Sequence, residues 1–131
     1  MSNEITNQQR LRIRNGNLEH DWQPSADQID QSSQIASGGV LSIPTGTSAT
    51  AISLGGVTTA AWSHFRNIDT STASTVYIDI GTGSGTSFVA TLRLLPGEYT
   101  IAPLHPTNAP YARLNTSATA TAALEFWIGS R

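Results

Sequence analysis

The side chains able to do chemistry are few and scattered. His20, His64 and His105 lie in three different stretches. None stands at the short offset from another that a metal site in a β-protein shows. Beyond the N-terminal region the acids are Asp69, Asp79, Glu98 and Glu125. Two carboxylates across a glycosidic bond could hydrolyse it, but no spacing couples two of these, and Glu98 in "PGEY" reads as a turn residue. The run "GTGSGT" (81–86) looks like part of a phosphate loop. Such a loop needs a following helix to receive the phosphate, whereas a strand pattern follows here and the chain has no lysine. "DTSTAS" (69–74) lacks the alternating acids of a calcium loop. The serines have no nucleophile-elbow context. "NTS" (115–117) matches a glycosylation acceptor, which carries weight only behind a secretory signal. The expectation is no catalytic residue, no metal site and no cofactor.

The aromatic residues are the remaining candidates. Trp22, Trp62 and Trp127, with Tyr77, Tyr99 and Tyr111, could stack on sugars or bases. At mixed strand phases such residues more often fill a core or an interface. Trp127 differs from the others. In a strand that buries Phe126 and Ile128 it must point to the opposite face, and an outward tryptophan is typical of interfaces.

These residues must be positioned by strands. "RLRIRNGNLEHDW" (10–22) is a hairpin signal, with Asn15-Gly16 as a type I′ turn. That turn places Arg12 opposite Glu19 and Arg10 opposite Asp21, with Leu11, Ile13 and Leu18 on the other face. Residues 23–39 are polar and weakly patterned. They read as an extended arm with a short strand near 28–31, ordered against a neighbour. Ile29 and Ile35 stand in this arm without a helical period, and with Trp22 and Trp127 they are the candidate interface residues.

From residue 40 strand signals recur, at 40–43, 50–54, 60–68, 75–80, 87–95, 99–102, 111–116 and 120–129. Pro96-Gly97 is expected to turn the strand at 87–95 back on 99–102 as a hairpin. The expected core is Phe65, Ile68, Val76, Ile78, Ile80, Phe88, Leu92, Leu94, Tyr99, Ile101, Leu124, Phe126 and Ile128. No segment holds a 3.6-residue period over three turns. The predicted fold is all-β: an antiparallel, jelly-roll-like β-sandwich over 40–131, preceded over 1–39 by the hairpin and arm.

Composition fits a packing role. The chain has 131 residues, net charge −2 and 12% charged residues, about half the usual share. All seven basic residues are arginine, and they form no basic patch of the kind nucleic acid requires. No apolar run approaches a membrane span. The N-terminus has no apolar signal-peptide region, which points to synthesis in a cytoplasm. With no cysteine, redox compartment is unread. A Thr- and Ser-rich surface of low charge repels its own copies weakly.

Three stretches taken in order, "GGVTTAAWSHFRNIDTSTASTVYIDIG", "LRLLPGEYTIAPL" and "APYARLNTSATATAALEFWIG", resemble small virion proteins of tailed bacteriophages. The matching residues are Gly56, Val57, Trp62, Phe65, Arg66, Asn67, Asp69, Tyr77, Gly81, Leu95, Pro96, Gly97, Glu98, Tyr111, Ala112, Asn115 and Thr116, and the resemblance covers roughly 55–129. Its Thr/Ala-rich C-terminal stretch departs from the pattern. The resemblance implies a non-enzymatic head decoration (cement) protein in the virion. Its partners would be the major capsid protein and other copies of itself, as a homo-oligomer such as a trimer. No nucleic acid or membrane partner is implied. A tail or head–tail junction component and a carbohydrate- or receptor-binding module are the competing expectations.

Overall fold

A computed structural model describes residues 3–31, 35–46, 48–69, 76–105, 108–114 and 121–130. The chain divides into two compact units, 1–34 and 35–130. The boundary expected at 39/40 therefore moves back. Residues 36–39 belong to the first strand of the second unit, because their backbone pairs with the C-terminal strand.

The first unit is a nested antiparallel ribbon. Strands β1 (Asn3–Asn7) and β4 (Asp27–Gln31) pair, and β2 (Leu11–Asn15) pairs with β3 (Leu18–Trp22). Residues 8–10 link the strands on one side and 23–26 on the other, so one side carries one residue more. The strand near 28–31 is present as β4, the part of the expected arm that pairs with β1. Strand β1 was not legible, since "NEITN" has a single apolar residue.

The tip turn differs from expectation. Asn15 pairs with Leu18, so Gly16 and Asn17 are central. Gly16 has φ 57°, and no described non-glycine residue has a positive φ. That is the pattern of a type II′ turn, with glycine first, rather than a type I′ turn, which needs positive φ at both centres. Every cross-strand partner thereby moves by two positions, which preserves the faces and changes the pairs. Arg14, not Arg12, reaches Glu19 (3.0 Å). Arg10 still holds Asp21, now on the diagonal, with Nε donating to Oδ1 at 2.9 Å and Nη2 donating to Oδ2.

Among the described residues, the second unit has eight strands in two antiparallel sheets. They are β5 (Ala36–Ile43), β6 (Thr50–Ala51), β7 (Ala60–Asn67), β8 (Ile78–Thr82), β9 (Val89–Leu94), β10 (Tyr99–Pro103), β11 (Tyr111–Leu114) and β12 (Ala122–Ser130). One sheet runs β10-β7-β12-β5 and the other β6-β11-β8-β9. Counted within the unit, these orders are sixth-third-eighth-first and second-seventh-fourth-fifth, which is the jelly-roll arrangement. The fold is an all-β sandwich, as expected.

Ile43, Phe65, Leu124, Phe126 and Ile128 from the first sheet meet Ile78, Ile80, Leu94, Ala112 and Leu114 from the second in one core, closed by Ile52 and Val57. Each fully buried Ile, Leu or Phe stabilises the fold by about 1.5–3 kcal/mol. The expected β9–β10 hairpin does not form. β9 pairs with β8, and β10 pairs with β7 in the opposite sheet, so Pro96-Gly97 turns the chain across the sandwich. The switch of sheets sets a new phase. Thr100 and Ala102 lie on the phase opposite Tyr99, and Tyr99, placed in the core by alternation, is 68% exposed.

The crossing is held by Asn67, the last residue of β7 and fully buried. Its Nδ2 donates to the Leu94 carbonyl (3.1 Å), and its Oδ1 accepts from the Asp69 amide (3.1 Å). Its backbone amide donates to the Glu98 carbonyl, and its carbonyl accepts from the Gly97 amide, each at 2.9 Å. Glu98 Oε2 in turn accepts from the Leu95 amide (2.8 Å). The "FRN-x-D" and "L-P-G-E" stretches thus form one clasp, and these residues have structural work.

A bulge interrupts β8–β9. Ile80 pairs with Leu92 and Gly81 with Ala90, which leaves Thr91 as the extra residue, its hydroxyl donating to the Ile80 carbonyl (3.1 Å). "GTGSGT" continues β8 for two residues, then turns through Gly83 (φ 83°) into a short 3-10 turn, Gly85–Ser87. No helix follows it to receive a phosphate.

Candidate functional site

Each candidate chemical group has a separate place. His20 lies in the ribbon, His64 on β7 and His105 after β10. Asp79 is buried in β8 between its register partners Arg93 and Arg113. Arg93 Nε donates to Asp79 Oδ1 at 2.8 Å, and its guanidinium lies 4.0 Å from the Tyr77 ring centre. The hydrogen bond to Asp79 raises the Arg93 pKa above its ordinary value. Glu98 serves the clasp, and Glu125 lies 4.0 Å from Arg66. Among the described residues no three His, Asp or Glu side chains could hold a metal ion. No described helix is long and apolar enough to cross a membrane. Residues 70–75 and 115–117, which carry most of "DTSTAS" and all of "NTS", lie outside the described residues.

Two surfaces remain. The first is one face of the ribbon. Alternation puts Leu11, Ile13, Leu18, His20 and Trp22 on one side and Arg12, Arg14, Glu19 and Asp21 on the other. The four apolar residues are 39–59% exposed. A two-stranded ribbon with its apolar face in water is marginal by itself. Its charged face supplies part of its cohesion. The hydrogen bond from Arg10 holds the Asp21 carboxyl below the usual carboxylate range. A depressed acid stabilises the folded form above its unfolded pKa, about 3.9, and that contribution is lost as pH falls through the folded value. Below about pH 4 the amide resonances of residues 11–22 should therefore move toward unfolded positions, ahead of those of 36–130. In Asp21→Asn this acid transition should be absent or much reduced. An unchanged transition in that variant would refute the assignment.

No protein-family model matches the chain, and no curated protein matches it in sequence.

The second surface is the outer face of the β10-β7-β12-β5 sheet. The register sets Tyr99, Arg66, Glu125 and Val40 in one row, Ile101, His64, Trp127 and Gly38 in the next, and Trp62 beside Gly129 beyond. Trp127 lies over Gly38 and Trp62 over Gly129, so that a Cβ on either glycine would overlap the indole. The two indoles meet edge to face, with ring centres 5.4 Å apart and planes at 67°. His64 and Tyr99 follow, with ring centres 6.2 Å apart.

The four interface candidates divide between the units. Trp22 is on the apolar ribbon face, and Ile29 is in β4, in backbone register with Ile5. Ile35 opens the second unit, half-exposed, its carbonyl accepting from the Ser130 amide (3.1 Å). Trp127 points outward, 50% exposed. Sequence reasoning did not join Trp62, His64 and Tyr99 to Trp127. The signal was available in "AAWSHFRN", where Trp62, His64 and Arg66 alternate with Ser63, Phe65 and Asn67. It also needed the pairing of β7 with β12, which no local pattern gives.

Proposed function

We propose that this chain is a non-enzymatic structural subunit of a tailed-bacteriophage virion. It binds the outer surface of the major capsid shell and stabilises it, in copies that associate with one another as a homo-oligomer such as a trimer. The observation that carries this reading is the amphipathic hairpin of β2 and β3, whose apolar face is left in water. Covering that face would remove apolar area at roughly 25 cal/mol per Å². Repetition over a symmetric shell would multiply a modest contact by avidity. The charge-poor surface supports the same reading, as do ionisable residues that serve structural pairs. The ordered stretches that resemble phage virion proteins add to it, although their Asn67 and Pro96-Gly97-Glu98 residues build the clasp rather than a binding site.

The test is cosedimentation of the full-length protein with assembled empty capsids and with unassembled capsid protein. Binding to assembled capsids alone is expected. Leu18→Asp/Trp22→Ala should weaken it by about tenfold or more, as loss of central apolar anchors does, while Arg12→Ala on the charged face should leave it intact. Wild-type protein that ignores capsids at micromolar concentration would overturn the reading. A virion copy number of only a few to a few dozen would move the subunit to a vertex or the tail.

A further inference from the structure

The outer face of the first sheet carries a feature that shell attachment through the ribbon does not use. Its two tryptophans are seated rather than merely exposed. Each faces a glycine on the paired strand, Trp127 over Gly38 and Trp62 over Gly129. Each indole thus occupies the space that a side chain on the cross-strand residue would fill. A shallow depression lies beside this strand, lined by Val40, His64, Glu125 and Trp127 with the backbone of Gly38 and Gly39. Trp62 Nε1 is buried and makes no hydrogen bond.

We propose that this shelf is a binding site for neutral, pyranose-containing glycans. Three observations point to that ligand class. The half-exposed indole of Trp127, seated over Gly38 and against Trp62, offers aromatic surface to the C–H face of a sugar ring. Around it stand donors and acceptors suited to hydroxyl groups: the Glu125 carboxylate, the Arg66 guanidinium, the His64 imidazole and the Trp127 indole N–H. Arg66 and Glu125 pair at 4.0 Å, so their charges cancel and the shelf offers no net attraction to a polyanion such as nucleic acid. Its shallowness suits one or two residues of a longer polymer better than an enclosed small molecule.

The experiment uses the full-length protein on a printed array of neutral glycans. It adds affinity electrophoresis through gels containing starch, β-glucan, xylan or galactomannan, with tryptophan fluorescence as the solution readout. Binding to at least one neutral glycan is expected. Trp127→Ala, with an unchanged far-UV spectrum, should weaken it by about tenfold or more. G38A, which displaces the indole without removing it, should weaken it by a smaller factor. The same Trp127→Ala protein should still sediment with capsids, so failure here is separable from failure of the shell-binding reading. Absence of binding to every neutral glycan at millimolar sugar would overturn the proposal, as would binding indifferent to Trp127→Ala. Loss of capsid binding in Trp127→Ala without any glycan binding would reassign the shelf to a protein partner.

Discussion

Asn67→Ala should cost the second unit about 2–3 kcal/mol, or roughly 10–20 °C in Tm for a unit of this size. The size follows from what the side chain leaves behind. The Leu94 carbonyl loses its donor from Nδ2, and the Asp69 amide loses its acceptor Oδ1. A buried polar group stripped of its partner costs about 1–3 kcal/mol. The position also matters. Asn67 binds, through side chain and backbone, to residues on both sides of the Pro96-Gly97 turn, so the chain would cross between sheets with its anchor cut. Asn67→Leu separates the causes, because it restores volume without hydrogen bonds. Thermal unfolding followed by circular dichroism should find the two variants similarly destabilised. A leucine variant near wild-type stability would show that Asn67 acts by filling space, and the clasp would lose its meaning.

The second large effect is expected at Gly81. A Cβ there would overlap the Val89 carbonyl oxygen and lie 2.8 Å from its carbon and 3.0 Å from the Ala90 Cα. All three are backbone atoms of the paired strand, so no rotamer change relieves the clash. Gly81→Ala should cost about 3 kcal/mol, the upper part of the range for overpacking, and it should loosen the β8–β9 bulge first. Gly97→Ala is the control. Gly97 has φ 81° with nothing within 4 Å of its Cβ position, so alanine there meets only the left-handed backbone penalty of about 1–2 kcal/mol. Denaturant unfolding of both should place Gly81→Ala clearly below Gly97→Ala. Equal values would contradict the bulge geometry.

Local alternation made most of the sandwich legible. β7 and β12 carry Phe65, Leu124, Phe126 and Ile128 at period two, and these form the core. Where alternation failed, a long-range choice had intervened. Tyr99 continues the phase of the preceding strand only if β10 pairs with β9. Once β10 pairs with β7 the phase is reset, and Pro96-Gly97 fits either outcome. The ribbon tip was missed by one residue because Asn15-Gly16-Asn17 supports two turn types, and only the φ angles separate them. Ile43, Ile52, Ala112 and Leu114 joined the core from strand signals too short to show which face is buried, and Val57 from a segment with no strand signal. The aromatic shelf was the least legible of all. It needs three strands, distant in sequence, brought side by side, and two glycines whose significance lies in the neighbour that covers them.

The hydrogen bond from Ser130 to Ile35 has a mechanical consequence. The second unit begins and ends at the same corner, where Ala36 pairs with Gly129, and β5 and β12 run antiparallel from there to Ile43 and Ala122. Tension applied between those two ends would load the ladder one rung at a time, as a zipper is opened, instead of shearing all its rungs together. The unit is therefore soft when pulled by its ends. Pulled instead along β5 against β12, from Ala36 and Ala122, the same ladder would bear the load on all its rungs at once.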